Sequence, residues 1–339
     1  MRRTGLRKAA TSSKLRRPEP RAGGPGVDLR ARIGSVELPN PVMTASGTAG
    51  HGAELSAYVD LPALGAVVVK SLSAEPWDGN PPPRLHETDA GMLNSVGLQN
   101  PGVEAWREAE LPALLATGAR VVASVWGFTV EEYEKAAAML AGCPPQVVAV
   151  EVNLSCPNLP GVSARGRGGG HRMFAHSAED TAAVIAATAA CGLPRWAKLS
   201  PNVADLTEIA GAALDAGAEA LTLVNTVMGM AIDPVARRPR LGAGGGGLSG
   251  MAIRPVAVRA VYECRRAYPA AGIAGVGGVA RGEHAAELLV AGADAVQVGT
   301  ATFADPRAAA HVLAELREWC DRQSVARLTD LIGSVHGTA

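Results

Sequence analysis

Polar and charged side chains stand at the ends of several short apolar runs in this sequence. These side chains are Ser46, Lys70, Ser71, Asn153, Lys198, Asn225 and Thr226. If the runs are parallel strands, the side chains meet at one edge, where two lysines and two asparagines indicate an anionic or carbonyl-rich ligand. An asparagine alone is equally well explained as a turn former. A lysine inside an apolar run requires an anionic partner, because burying an unpaired ammonium is costly.

Two glycine turns follow the last two apolar runs. The segment GVGGV covers residues 275–279, and VGTA covers residues 298–301. A glycine turn that opens onto a helix presents backbone amides to a phosphate, and paired turns of this kind are a recurrent phosphate site in α/β barrels. A dinucleotide-binding interpretation of GVGGV fails, since the segment comes late in the chain and lacks the required glycine spacing.

A cysteine follows the fourth run, in the segment VEVNLSCPNLPG. Cys156 stands between Asn153 and Asn158 and directly precedes a proline, which favours an exposed loop. A loop thiol beside amide donors is suited to proton transfer. Taken alone, a cysteine is more often a small buried hydrophobic residue.

Eight apolar runs recur along the chain, with amphipathic stretches between them. The runs cover residues 41–45, 66–71, 120–125, 147–153, 195–200, 220–225, 272–276 and 295–299. Helical spacing of apolar residues predicts helices over 129–141, 178–189, 204–216, 253–268 and 282–291, with Gly217 and Gly292 as helix caps. Runs apolar on both faces with helical crossovers predict an α/β fold, a (β/α)8 TIM barrel.

Three further segments are predicted to lie outside the regular strands and helices of this barrel. Residues 29–40 predict a small N-terminal β-hairpin that turns at Gly34-Ser35 and covers the barrel's N-terminal end. Residues 71–103 and 227–252 are long excursions rich in Gly, Pro and Asn. Loops of this length are usually functional, so we expect both to roof the pocket at the C-terminal ends of the strands.

Composition favours one enzyme domain over a nucleic-acid or membrane protein. The 339 residues are 47% hydrophobic and 4% aromatic, and 32 basic side chains balance 32 acidic ones. The body therefore has no net field to attract nucleic acid or an anionic membrane, and no run of about 18 apolar residues predicts a membrane span. Residues 1–27 carry eight basic side chains and one acidic side chain. This composition predicts a disordered leader, although it also resembles an organelle transit peptide.

The five cysteines are dispersed, and none forms a C-x-x-C pair. This distribution predicts a reducing, cytoplasmic location and no metal site. Any iron–sulfur chemistry must then come from another polypeptide. The predicted organisation is thus a leader over residues 1–27 and a barrel domain over residues 28–339.

Six motifs together resemble one enzyme family. They are GNPPPRLHETDAGMLNSVGLQNPG (79–102), VNLSCPN (152–158), KLSPNV (198–203), NTVMGMAID (225–233), GGLSG (246–250) and GVGGV (275–279). In this order they resemble the class 1 dihydroorotate dehydrogenases over roughly residues 30–335. The segments GMLNSVGLQNPG and NTVMGMAID are most similar to the B-type branch, which uses NAD through an iron–sulfur and FAD subunit.

The resemblance implies oxidation of dihydroorotate to orotate in de novo pyrimidine biosynthesis, with flavin mononucleotide (FMN) as cofactor and Cys156 as base. It implies Lys70 as a second catalytic residue. The implied substrate contacts are Lys70, Met92, Asn94, Gly97, Leu98, Asn153, Asn158, Asn225 and Thr226. The implied FMN contacts are Ala45, Ser46, Lys70, Ser71, Ser124, Asn153, Lys198, Val224, Gly250, Gly277, Gly278, Gly299 and Thr300. The resemblance also implies a homodimer and an iron–sulfur/FAD partner subunit.

The sequence departs from the family pattern at several positions. An arginine- and glycine-rich stretch is inserted at residues 159–177, either as a tolerated surface loop or as a specificity element. Gly245 and Met251 replace the family's usual threonine and proline around GGLSG, and Ser124 stands where the B-type branch often has asparagine.

Three alternatives remain open from the sequence. They are an A-type enzyme that uses fumarate, a related dihydropyrimidine dehydrogenase, and a non-catalytic phosphate-binding barrel.

Overall fold

The computed structural model describes residues 26–156 and 173–337 of the 339-residue chain. Most of the predicted leader, Asn158, and residues 159–172 of the insertion lie outside the described residues. The strands in chain order are β1 (Ala31–Ile33), β2 (Val36–Leu38), β3 (Val42–Thr44), β4 (Val67–Val68), β5 (Leu85–Thr88), β6 (Gly91–Asn94), β7 (Val121–Val125), β8 (Val147–Asn153), β9 (Arg195–Lys198), β10 (Ala220–Leu223), β11 (Val227–Gly229), β12 (Ile232–Asp233), β13 (Arg238–Pro239), β14 (Gly246–Ser249), β15 (Gly272–Val276) and β16 (Ala295–Val298).

Eight of these strands form one parallel sheet, in the order β3-β16-β15-β10-β9-β8-β7-β4. Each coincides with one of the eight predicted apolar runs. The sheet closes between β3 and β4, where the amide of Gly65 donates to Val42 O over 2.8 Å and the amide of Val68 donates to Thr44 Oγ1 over 2.9 Å. The predicted (β/α)8 barrel is confirmed.

Helices pack around the outside of this barrel. They are α1 (Val103–Ala105), α2 (Leu111–Ala116), α3 (Val130–Ala138), α4 (Ala178–Ala187), α5 (Leu206–Asp215), α6 (Arg254–Ala267), α7 (Gly282–Ala291), α8 (Ala301–Ala304) and α9 (Ala308–Arg322), with a π-helical turn at Trp106–Glu110 between α1 and α2. Helices α3 to α7 are the five that the apolar spacing predicts. Between β3 and β4, only short 3₁₀ turns at Glu54–Ala57 and Leu61–Ala63 replace a full helix.

Local sequence explains where several of these helices begin and end. The side chains of Thr129, Ser177 and Asp205 accept hydrogen bonds from the first-turn amides of α3, α4 and α5. Gly217 and Gly292 follow α5 and α7 with φ of +95° and +121°. These positive φ values confirm the predicted glycine caps, since residues with a Cβ rarely adopt them.

The two long excursions form a second sheet instead of irregular loops. Strands β5 and β6 from the first excursion and β11 and β14 from the second make one antiparallel sheet, in the order β11-β14-β6-β5. The central register pairs Leu248 with Leu93. Strands β12 and β13 make a separate exposed hairpin. Composition favoured loops here because Gly, Pro and Asn obscure the alternating pattern of a strand. The backbone hydrogen bonds that make these segments strands come from pairing between two distant parts of the chain.

The opposite end of the barrel carries the predicted hairpin of β1 and β2, which turns at Gly34 with φ of +57°. Ser35 donates to the carboxylate of Glu219, the residue just before β10. The hairpin therefore covers the N-terminal ends of the strands. No helix among the described residues is both long and apolar enough to cross a membrane.

Candidate active site

A cavity of about 590 Å³ lies between the C-terminal ends of the barrel strands and the second sheet. The predicted site residues that line it are Ala45, Ser46, Lys70, Ser71, Met92, Asn94, Gly97, Leu98, Asn153, Cys156, Lys198, Val224, Asn225, Thr226, Gly250, Gly277, Gly278, Gly299 and Thr300. Ser124 does not line the cavity, and Asn158 lies outside the described residues. The fold thus brings segments from the whole length of the barrel to one cavity of the size usual for small-molecule sites.

Ser71 lies at the centre of a hydrogen-bonded group on one wall of the cavity. Its Oγ accepts from Asn153 Nδ2 over 3.0 Å and lies 2.8 Å from Ser124 Oγ and 3.3 Å from Ser46 Oγ. Ser124 is completely buried behind Ser71. Ser124, a predicted FMN contact, is thus connected to the cavity only through its hydrogen bond with Ser71.

Asn225 holds the start of the loop that carries Cys156. Its Nδ2 donates to Ser155 Oγ over 2.9 Å and to Ser155 O over 3.1 Å, while its Oδ1 accepts from the amide of Thr226 over 2.9 Å. Ser155 is fully buried and also donates to Asn153 Oδ1. These bonds fix the backbone immediately before Cys156. The residue that carries the thiol therefore follows an ordered segment.

The partly buried Cys156 shares the cavity with Lys70. Burial lowers the pKa of Lys70, whereas a negative charge on Cys156 raises it, and Lys198 and Arg84 lower it further. An ammonium at Lys70 and a thiolate at Cys156 therefore stabilise each other.

Tyr133 of α3 also lies near the Cys156 thiol. Burial raises the pKa of Tyr133, and a charge on Cys156 adds to that rise. The Tyr133 hydroxyl donates to Asn153 O over 2.7 Å. This bond ties α3 to the end of β8, from which the Cys156 loop departs.

Lys198 has a protein counter-charge, which the sequence-based prediction did not anticipate. Its Nζ lies 3.2 Å from Glu151 Oε1, and Glu151 Oε2 accepts from Gln297 Nε2 over 2.8 Å. The sequence indicated that a buried lysine needs an anionic partner but did not identify one. For Lys198, the structure supplies the carboxylate of Glu151, two residues before Asn153.

The first glycine turn leaves no room for larger residues at Gly277 and Gly278. Gly277 and Gly278 have φ of +135° and +72°. A Cβ on Gly277 would lie 2.8 Å from Ala257 Cβ, and a Cβ on Gly278 would lie 2.6 Å from Arg254 Cβ. On the opposite turn, Thr300 Oγ1 donates to Ser249 Oγ over 2.8 Å. The first turn is therefore packed tightly against α6, the second is bonded to the second sheet, and both line the cavity.

The second sheet and its loop cover the cavity from the other side. Gly97 has φ of +75°, and a Cβ there would lie 2.7 Å from the Asn80 side chain. Leu98 follows with φ of +66°, a value rare for a leucine. Residues in this region of φ store strain and cluster at functional sites. Arg84 supports the loop through Asp78 O and Gln99 Oε1.

The chain is similar to proteins of one family over nearly its whole described length. The family model described as "Dihydroorotate dehydrogenase" matches residues 28–319. A relative from Solibacter usitatus named putative dihydroorotate dehydrogenase A (fumarate) is 47% identical over 91% of this chain and 98% of its own length. The catalytic subunits of dihydroorotate dehydrogenase B (NAD(+)) from Desulforudis audaxviator and Trichlorobacter lovleyi are 46% and 44% identical, over 92% and 91% of this chain and 99% of their own lengths.

The chain belongs to the dihydroorotate dehydrogenase family. It is thus an oxidoreductase that oxidises dihydroorotate in pyrimidine biosynthesis. Because this family depends on flavin, the cavity can be examined for groups that would hold a flavin nucleotide. The residues fit a flavin nucleotide in two respects. A phosphate would find the backbone of the two glycine turns, which line the cavity and of which the first has no space for a Cβ. A ring with acceptor atoms would find Lys198, which lines the cavity and is only 5% exposed.

Several residues that shape this cavity and its surroundings were absent from the sequence-based prediction. They are Glu151, Gln297, Tyr133, Ser155 and Arg84. Glu151 and Gln297 could have been found, because each is a polar residue inside an otherwise apolar run. Tyr133 and Arg84 gave no such indication, since a tyrosine on an amphipathic helix and an arginine after prolines are both ordinary.

Proposed function

We propose that the chain oxidises dihydroorotate to orotate with bound FMN as the immediate hydride acceptor and Cys156 as the base. One observation carries the proposal: Cys156 and Lys70 line the same cavity as Lys198 and the glycine turns of strands β15 and β16. The cavity is therefore lined by the candidate base, by two cationic side chains and by the two glycine turns that could bind a phosphate.

Cys156 would remove the proton from carbon 5 of dihydroorotate. Loss of hydride from carbon 6 leaves positive character that is relieved when a base removes this neighbouring proton, and a positioned thiolate is a competent base near neutral pH. The Lys70 ammonium stabilises the thiolate before the reaction. Asn225 and Ser155 keep the thiol in place, since both hold the backbone that precedes it.

Substrate would bind between the second sheet and the barrel. Lys70 offers an ammonium to the orotate carboxylate from the barrel side, and Asn94, Gly97 and Leu98 offer polar groups from the roof. The remaining assigned contacts are Met92, Asn153, Asn158, Asn225 and Thr226. The amide hydrogens of Asn225 already serve Ser155 and Asn153, so we assign Asn225 mainly to holding the loop.

FMN would lie across the cavity with its phosphate on Gly277, Gly278, Gly299 and Thr300. When bound it supplies a two-electron acceptor for the hydride. Lys198 would face the pyrimidine edge of the ring and stabilise negative charge there. The other assigned contacts are Ala45, Ser46, Lys70, Ser71, Asn153, Val224 and Gly250, with Ser124 acting through Ser71.

We further propose a cytoplasmic homodimer that passes electrons to NAD through an iron–sulfur/FAD subunit. The names of the similar proteins support only the electron-acceptor part of this proposal, because two of those described above are NAD-linked catalytic subunits and one is named for fumarate. Among the described residues, no group of three or more His, Cys, Asp or Glu side chains could hold a metal ion. The cluster would therefore reside in the partner.

Replacing Cys156 with serine tests the assignment of the base. We expect the purified Cys156→Ser protein to remain yellow, while anaerobic flavin reduction by dihydroorotate at pH 7 slows by about 10²- to 10⁴-fold, the usual contribution of a general base. A serine hydroxyl cannot ionise at that pH. Cys143→Ser is the matched control, because Cys143 is also partly buried but lies outside the cavity.

Two results would contradict the proposal. Full reduction rate in Cys156→Ser would remove the thiol from the mechanism, and a colourless unaltered protein that does not take up FMN would remove the cofactor. Reoxidation of the reduced protein by NAD, fumarate or a quinone, each with and without the candidate partner subunit, identifies the acceptor. Direct reoxidation by fumarate at catalytic rates would refute the NAD assignment.

A further inference from the structure

Glu151 is a buried carboxylate that the mechanism above does not use. It belongs to β8 and has no exposed surface. Its two oxygens accept from Lys198 Nζ over 3.2 Å and from Gln297 Nε2 over 2.8 Å. Placing a carboxylate in a protein interior is costly even when it is paired, and apolar residues of similar volume often stabilise a fold as well or better. Its presence therefore calls for a reason other than stability.

The position of Glu151 relative to the cavity suggests that reason. Lys198 lines the cavity, whereas neither Glu151 nor Gln297 does. Strand β9, which carries Lys198, is next to β8, while β16, which carries Gln297, is separated from β9 by β10 and β15. The carboxylate thus links two sides of the barrel interior beneath the cavity, and the ammonium lies between the carboxylate and the cavity.

The hydrogen bonds of this group are incomplete in the part of the chain that the structure describes. The only hydrogen bond there from Lys198 Nζ goes to Glu151, which leaves two N–H groups of the ammonium for the cavity. Gln297 Oε1 and Thr222 Oγ1 are buried without a partner among the described residues. Buried polar groups are normally hydrogen-bonded, and an exception calls for an explanation such as a catalytic or redox role.

We propose that Glu151 is a positioning residue that holds the Lys198 ammonium at the cavity floor and attenuates its positive charge toward bound flavin. This inference rests on the FMN role given under the proposed function. A charge on Lys198 stabilises the reduced, negatively charged flavin more than the oxidised one, and a carboxylate 3.2 Å behind it opposes that effect. Glu151 therefore lowers the reduction potential of the flavin and favours onward transfer of the electrons.

The test is the midpoint potential of the bound flavin in Glu151→Gln, measured anaerobically by dye equilibration at pH 6.5. Glutamine keeps the volume and an acceptor oxygen but removes the charge. We expect the preference for reduced over oxidised flavin to rise at least tenfold, a positive shift of about 30 mV for a two-electron couple. Glu263→Gln is the control, because Glu263 pairs with Arg259 on the outside of α6 and should leave the potential unchanged.

A second pair of variants separates charge from packing. In Glu151→Asp the carboxylate is retained but withdrawn from Nζ, so we expect a smaller positive shift than in Glu151→Gln. In a Lys198→Met background no ammonium remains for Glu151 to attenuate, so Glu151→Gln should then cause a smaller shift than it causes when Lys198 is present. If Glu151 had a purely structural role, its replacement would change the thermal unfolding temperature, and the shift in potential would not depend on the presence of Lys198.

The outcomes distinguish this inference from the proposed function. The unaltered protein is tested first for bound FMN and for its bleaching by dihydroorotate, and failure there defeats the proposed function. If the unaltered protein passes, an unchanged or lower potential in both Glu151 variants overturns the role of Glu151. Loss of flavin from both variants overturns it as well, since attenuation of a charge predicts that oxidised FMN is retained.

Discussion

Replacing Gly278 with alanine should weaken FMN binding, whereas the same change at Gly142 should only destabilise the fold. Gly278 has φ of +72°, and its added Cβ would lie 2.6 Å from Arg254 Cβ and 3.0 Å from Gly250 O. Gly142 has the same φ of +72° but no atom within 4 Å of the added Cβ. The pair therefore separates the cost of the backbone conformation, which both variants share, from the cost of crowding at the phosphate turn.

The structure gives a magnitude for each variant. The left-handed conformation costs an alanine about 1–2 kcal/mol, which is the whole expected loss for Gly142→Ala. At Gly278, contact with Arg254 must open by about 1 Å to reach the ordinary carbon–carbon separation of about 3.5 Å. A shift of that size breaks a backbone hydrogen bond to a phosphate oxygen, and a hydrogen bond to a charged group contributes about 1.5–3 kcal/mol. FMN affinity should therefore fall about 10- to 100-fold, since about 1.4 kcal/mol corresponds to tenfold.

The assay is reconstitution of the apoprotein with FMN, followed by flavin absorbance and fluorescence. Urea unfolding of both apoproteins gives the shared conformational cost. We expect Gly142→Ala to bind FMN like the unaltered protein and Gly278→Ala to bind it at least tenfold more weakly. Equal FMN affinity in the two variants would refute the assignment of this turn to the phosphate.

Two further predictions concern stability. Arg265 donates to Gly292 O, Pro269 O and Ala271 O and pairs with Asp294 over 2.8 Å in a mostly buried position, so Arg265→Met should lower the free energy of unfolding by about 3 kcal/mol. The exposed Arg259→Met should lower it by about 0.5 kcal/mol or less, and similar urea midpoints for the two variants would contradict this view. Burial and the nearby Lys70 lower the pKa of His51 to about 4, so the folded state resists protonation that the unfolded chain accepts near pH 6.5. Stability from neutral His51 is therefore complete above pH 6.5 and is lost as the pH falls toward 4, with a slope of at most about 1.4 kcal/mol per pH unit for one proton. His51→Gln should flatten this part of the stability profile, and an unchanged profile would exclude His51 as its source.

Much of the fold follows from local features of the chain. Apolar runs predict all eight barrel strands because a strand buried on both faces must be apolar at consecutive positions. Helices α3 to α7 follow from their spacing, as do the Gly217 and Gly292 caps. The second sheet was not predicted, because β6 and β14 obtain their hydrogen bonds from each other across more than 150 residues of sequence. Local composition does not record such a pairing.

The sequence by itself determined which side chains meet at the C-terminal end of the barrel, since residues that follow parallel strands share one edge whatever their distance along the chain. Only the tertiary structure decided which contacts each of these side chains makes. It placed Ser124 behind Ser71, turned the Asn225 amide toward Ser155, and gave Lys198 the counter-charge of Glu151. These outcomes depend on side-chain directions and distances of about 3 Å, which arise from packing between strands and are not specified by residue type or spacing.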